Sequence, residues 1–254
     1  MSAEDVLVQT STRGTFPLPA PQTPGLTNVP GFTLYGDGTL LYWARDQGTR
    51  SYLLFQGELT EMAIQNILLR AVIEARFFDS EEYYYPMVMD AALTRITVNT
   101  LAECRSVFAL ALGPNLPVEL MGLSTEDAAQ FGRLGELYQW LKEMDLRMVD
   151  DPERVDRGKF IPDAIELFIT RIGPELVYEE ATLWPFTEID LASSALWPAG
   201  PTTITLEDDL AHQVYEFLTD MPRYNFSQGD VVAFVQQRPH LPYEGKWREA
   251  NLCP

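Results

Sequence analysis

Two histidines, thirty-seven carboxylates and two cysteines are the side chains with which this 254-residue chain could do acid–base, nucleophilic or metal chemistry. Histidine is the usual general base and metal ligand near neutral pH. His212 falls on a predicted helix with no second histidine four residues on, so no helical metal pair exists, and His240 lies in a Pro-rich tail. Both read as lone surface or capping residues. No G-x-S-x-G elbow and no S-x-x-K pair supplies a serine nucleophile. G-x-G-x-x-G and G-x-x-x-x-G-K-[ST] are absent too, so nucleotide cofactors lack their Gly-rich cradle.

Carboxylates remain. Asp37, Asp46 and the group Asp79, Glu81, Glu82 and Asp90 could pair for acid–base work of the glycosidase kind, although spacing does not show that any two face each other and an acidic chain produces such groups by chance. The same "DSEE…D" segment carries the oxygen ligands calcium prefers, but the D-x-D-x-D-G loop is missing. No catalytic, cofactor-binding or metal-binding residue is assigned on this basis, and no cofactor is expected. Cys104 precedes an apolar run and reads as a small buried hydrophobe; a disulfide with Cys253 in an oxidising compartment is the alternative. Neither belongs to a CxxC pair, which excludes zinc-ribbon and thioredoxin chemistry.

The elements that must position these groups follow from pattern. "GFTLYGDGTLLYW", residues 31–43, reads as strand, turn, strand. A two-residue Asp37-Gly38 loop would pair Phe32 with Trp43 and Leu34 with Leu41, and the Gly-Asp-Gly turn is read as structural. "DVLVQTS" precedes it as a short strand, and "RSYLLFQGEL" continues the meander. Between the first strand and the hairpin, "GTFPLPAPQTPGLTNVP" is an irregular surface segment anchored by Phe16, Leu18 and Leu26. Thr60 caps a helix carrying Ile64, Ile67, Leu68, Ala71 and Ala75, and Ser124, with Asp127 three residues on, caps a second. Thr205, with Asp208, opens a third helix whose inner face is Leu210, Val214, Phe217, Leu218 and Met221. "LTRITVNT" and "CRSVFALAL" alternate as a hairpin, "IPDAIELFITRI" is a strand, and "QGDVVAFVQQRPHLP" ends in strand and tail. "DSEEYYYPMVMDAA" and "DDPERVDRGK" read as a loop and a charged linker.

The expected fold is α+β: mainly antiparallel sheets of about seven or eight strands with three packed helices. Residues 1–254 are expected to form one compact unit with a subdomain break near 147–160. Tyr83-Tyr84-Tyr85 and the Trp-Pro steps at Trp184 and Trp197 would either form a binding face or, as is commoner for large aromatics, fill the core.

The chain carries 37 acidic against 18 basic residues, a formal charge of −19, which disfavours nucleic acid and direct contact with anionic membranes. No apolar run is long enough to span a bilayer, and "MSAEDVLVQTSTRG" has no signal-peptide pattern.

In order, the landmarks "VPGFTLYGDGT", "DAALTRITV", "ALG", "LWPF" and "RPHLPYE" resemble a family of uncharacterised bacterial proteins, secreted or lipid-anchored. An "LYGDG" hairpin and a closing "RP-x-LP-x-E" recur in that family. The resemblance implies an exported protein and transfers no catalytic residues. The functional expectation is a non-enzymatic interaction or accessory subunit, extracytoplasmic or envelope-associated, meeting a protein partner through its acidic surface and aromatic loop. The alternative is a carboxylate-dependent hydrolase acting on a neutral substrate.

Overall fold

The computed structural model describes residues 2–13, 29–45, 52–88, 91–113, 122–144, 154–172, 181–194, 202–220, 225–244 and 253. The fold is α+β, with sheets of eight and five strands that are antiparallel apart from two short parallel pairs. The chain divides into two compact units, at Phe160/Ile161 and again at Pro242/Tyr243.

The first unit holds β1 (Val6–Arg13), β2 (Phe32–Tyr35), β3 (Thr39–Arg45), β4 (Tyr52–Leu59), β5 (Tyr83–Tyr84), β6 (Leu93–Asn99), β7 (Cys104–Leu110) and β8 (Arg154–Lys159). Their order across the sheet is β5-β7-β6-β1-β2-β3-β4-β8. Helix α1 (Glu61–Leu69) runs on as a π-helical turn, Arg70–Glu74, and α2 spans Thr125–Lys142. Both caps form as the sequence expects: the Thr60 hydroxyl accepts from Ala63 N–H and the Ser124 hydroxyl from Asp127 N–H. Ile64 and Ile67 of α1 and Phe131, Leu134, Leu137 and Leu141 of α2 join Val8, Leu34, Ile96 and Val107 of the sheet in one apolar core.

Two details of this unit differ from the sequence reading. The hairpin pairs Phe32 with Tyr42, Thr33 with Leu41 and Leu34 with Leu40, one residue off the expected register. Its loop has three residues, Gly36–Gly38, with Gly38 N–H bonded to Tyr35 O and Gly38 at φ +89° in the bulge position such loops require. All four residues of β2 are buried, so no polar face existed to fix the register. Backbone crowding fixes it instead: a Cβ on Gly36 would lie 2.3 Å from Ser2 O, and one on Gly38 2.5 Å from Leu59 O. The second difference is "DDPERVDRGK", which is no linker over its described part: Arg154–Lys159 pairs with β4 as a charged edge strand, a composition that discourages further pairing.

The second unit contains β9 (Ala164–Arg171), β10 (Thr182–Leu183), a helical turn α3 (Leu191–Ser194), β11 (Thr202–Glu207), α4 (Asp208–Asp220), β12 (Asn225–Gln228) and β13 (Val231–Pro239). The sheet order is β10-β12-β13-β9-β11. Ala211, Val214 and Leu218 of α4 pack on Ile165, Leu167, Ile169, Ala233 and Val235. Beside them Trp184, Phe186, Phe217 and Phe226 make edge-to-face and tilted contacts with centroids 5.1 to 6.1 Å apart. Thr205 does not cap α4. It lies inside β11, opposite Glu166, and the helix starts at Asp208 with φ +53°. The "TTITLE" alternation, paired along β9, outweighs the local T-x-x-D signal. The irregular segment 14–28 and Trp197 lie outside the described residues.

Candidate functional site: an aromatic cleft at the β5 edge

The residues just before β5 fold so that alternate tyrosines part company. Tyr84 turns inward: it is buried, its ring meets Phe131 edge-on at 5.9 Å, and its hydroxyl accepts from Glu81 N–H. Burial, more than any neighbour, raises its pKa above the ordinary tyrosine value. Tyr83 and Tyr85, one position to either side, point outward as strand geometry demands, and remain 51% and 57% exposed. The three-tyrosine run therefore both fills the core and forms a surface.

Tyr83 lies opposite Phe108 of β7, and Phe108 opposite Arg95 of β6. That register builds a column. Tyr85 stacks with Tyr83 at 6.0 Å, Tyr83 with Phe108 at 5.2 Å, and the Arg95 guanidinium sits 5.5 Å from the Phe108 ring centroid. The column borders a cleft of about 800 Å³, the size of an ordinary ligand site, which is also lined by Asp79, Glu81, Glu82, Arg105, Ser106 and the two cysteines.

Both arginines of the cleft are engaged from within. Arg105 donates to Phe78 O at 2.6 Å and Ser80 O at 2.7 Å and pairs with Glu103 at 3.4 Å. Arg95 donates to Ser106 Oγ, which also shares a hydrogen bond with Thr97. Asp79 pairs with Arg76 at 2.7 Å. Glu82 bonds the Tyr83 hydroxyl, and this bond, with the carboxylate's charge behind it, holds the phenol above its usual pKa. Ser80, buried at the base of the segment, is held by Gln130, whose amide also donates to Ala75 O and Arg76 O.

Cys104 and Cys253 are disulfide-bonded, with Cα atoms 5.2 Å apart. Cys104 is half-buried, not the buried apolar filler expected of a residue ahead of an apolar run; β7 presents it on the cleft side, where residue 253 meets it.

The other residues singled out for chemistry, where described, do not line this cleft. Asp37 serves its turn: one oxygen accepts from Thr39 N–H at 2.8 Å, the other from the Tyr243 hydroxyl at 2.7 Å. Asp46 and Asp90 lie outside the described residues. His212 is half-buried on α4, and His240 stands 3.9 Å from Glu166, which Arg238 also pairs at 3.3 Å. Among the described residues no group of three or more His, Cys, Asp or Glu side chains is arranged to hold a metal ion. No helix there is long and apolar enough to cross a membrane.

No family model, curated protein or solved structure matches this chain. The cleft has to be read from its own chemistry. Sequence reasoning reached its acidic and tyrosine residues together, as one segment. It missed Arg95, Phe108 and Ser106, whose signal was their alternation on the β6–β7 hairpin.

Proposed function

We propose that the protein is a non-enzymatic interaction module, an accessory subunit that works outside the cytoplasm or at the envelope and grips a protein partner through the β5 edge. The observation that carries this reading is the outward pair Tyr83 and Tyr85, more than half exposed and already stacked on the rim of a cleft. Exposed tyrosines held rigid by stacking lose little entropy on binding, and Tyr is among the residues that dominate interface energetics. The Cys104–Cys253 bond supports the compartment, since disulfides persist where the surroundings are oxidising.

The test is native size in fractionated source cells, by gel filtration with immunodetection. Elution with a larger assembly, lost when Tyr83 and Tyr85 are both changed to Ala, is the expected result. Elution near 28.8 kDa in every fraction overturns the reading.

A further inference from the structure

From the cleft's inventory of charges and rings we infer the chemistry of its occupant: a basic, arginine-bearing segment of the partner protein. This rests on the interaction reading above and deepens it.

The positive groups of the cleft are already spoken for. Arg105 is bound to two main-chain carbonyls and Glu103, and Arg95 lies on Phe108 with its donors toward Ser106. Glu81 and Glu82 have no ion-pair partner among the described residues. An entering ligand therefore meets two carboxylates, Glu82 already accepting from the Tyr83 hydroxyl, and the outer face of Tyr85, since Tyr83 is covered by Phe108 on one side and Tyr85 on the other. Those are the groups that together recognise a cation bearing a flat or soft face.

The column also contains its own precedent. At its inner end it seats a guanidinium, Arg95, over an aromatic ring. At its outer end Tyr85 is 57% exposed with nothing equivalent above it among the described residues. A partner's arginine would sit there as Arg95 sits on Phe108, its donors reaching the Glu81 and Glu82 carboxylates. Arginine should be preferred to lysine, because a planar guanidinium stacks and binds carboxylate in a fork while an ammonium does neither. The chain's net charge of −19 speeds the encounter with any basic segment.

The experiment is titration calorimetry of the purified full chain with acetylated, amidated peptides of alternating residues: (Arg-Gly)4, (Lys-Gly)4 and (Glu-Gly)4. The expected order is Arg over Lys by about five-fold or more, with no heat from the Glu peptide. Tyr85→Leu, at an exposed position, should weaken the Arg peptide about ten-fold, and Glu81→Gln with Glu82→Gln should do at least as much. Asp209→Asn with Glu216→Gln removes the same charge from exposed positions on α4 and should change the affinity less than two-fold. Equal weakening by both charge pairs would mean that bulk acidity alone attracts the peptide, and overturns the site. So does equal affinity for Arg and Lys peptides, or heat only from a neutral oligosaccharide offered in parallel. If the protein elutes in a large assembly yet ignores the Arg peptide, this inference falls and the interaction reading survives. If the peptide binds as expected but no assembly exists in cells, the opposite holds.

Discussion

In the first unit, residues far apart in the chain are joined by specific bonds: Cys104 to Cys253 across 149 positions, Tyr243 to Asp37 across 206. In the second, the long-range partners β9 and β13 share a seven-pair antiparallel ladder and the Arg238–Glu166 pair, and lie over a core of Ile165, Leu167, Ile169, Ala233 and Val235 packed under α4 with an aromatic cluster beside it. The contrast follows from what each segment has to offer. The residues that return to the first unit after Pro242 are few and bring little apolar surface among those described, so a covalent bond and a phenol–carboxylate bond do the fixing. In the second unit strands and α4 share one apolar core, on which it can rely.

That difference can be broken by experiment, most severely at the disulfide. Closing a loop of this length constrains the unfolded chain by about 5 kcal/mol in the entropic account. Reduction, or Cys104→Ser with Cys253→Ser, should lower the hydrogen-exchange protection of β6 and β7 by several kcal/mol and leave β9 and β13 nearly unchanged. Equal loss in both sheets would show that the units unfold as one.

The converse perturbation is Phe226→Ala, which empties the middle of the aromatic cluster and should cost about 4 kcal/mol, confined to β9, β12 and β13. Trp184→Phe sharpens the point. Among the described residues the buried Trp184 indole N–H has no hydrogen-bond partner, so removing it recovers much of what the smaller ring loses, and the net change should stay within about 1 kcal/mol. Chemical denaturation read by exchange or near-UV dichroism distinguishes these outcomes.

A third test uses pH. Burial pushes the Tyr215 phenol on α4 up to about 12, from an ordinary value of 10.0. The folded state thus keeps a proton that the unfolded chain releases. Stability from this group is complete below pH 10 and falls as pH rises towards 12, by about 2–3 kcal/mol in all. Tyr215→Phe should flatten that decline. In the first unit Tyr83 and Tyr243 are also shifted upward, by hydrogen bonds to Glu82 and Asp37, but Tyr83 is exposed and Tyr243 only half-buried, so solvent screens them. Absorbance of tyrosinate during an alkaline titration should show these two ionising before Tyr215.

A small effect is also expected at the caps. Ser124→Ala should cost about 1 kcal/mol, since it removes an acceptor for an orphan helix N–H. Far-UV dichroism during thermal melting measures it.

How much of this was legible depends on whether local chemistry or distant pairing decided the element. Thr60 and Ser124 cap as read, because a hydroxyl ahead of an amphipathic run needs no tertiary help. The β6–β7 hairpin was legible from alternation on both arms. The failures were decided at long range. Arg154–Lys159 is a strand because β4 has an open edge, and Thr205 is in a strand because β9 lies beside it. The hairpin register slipped because residues 2–5 and Leu59 crowd its glycines. The cleft was half legible. Its acidic and tyrosine members are contiguous, whereas Arg95 and Phe108 reach it only through the pairing of three strands.

β1 lies inside the eight-stranded sheet, between β2 and β6, with Val8 opposite Leu34 on one side and Val98 on the other. In time, those neighbours do not arrive together. A ribosome delivers the hairpin strand soon after β1, but some fifty further residues must emerge before β6 can close the second edge, and an open strand edge is where nascent chains pair with the wrong molecule. The residues from Gln9 to Thr12 are all polar, and Gln9 and Thr10 end up buried. As core material they are a poor choice. As the composition of a strand that must wait unpaired, they act as gatekeepers, keeping β1 in solution until its last neighbour is made.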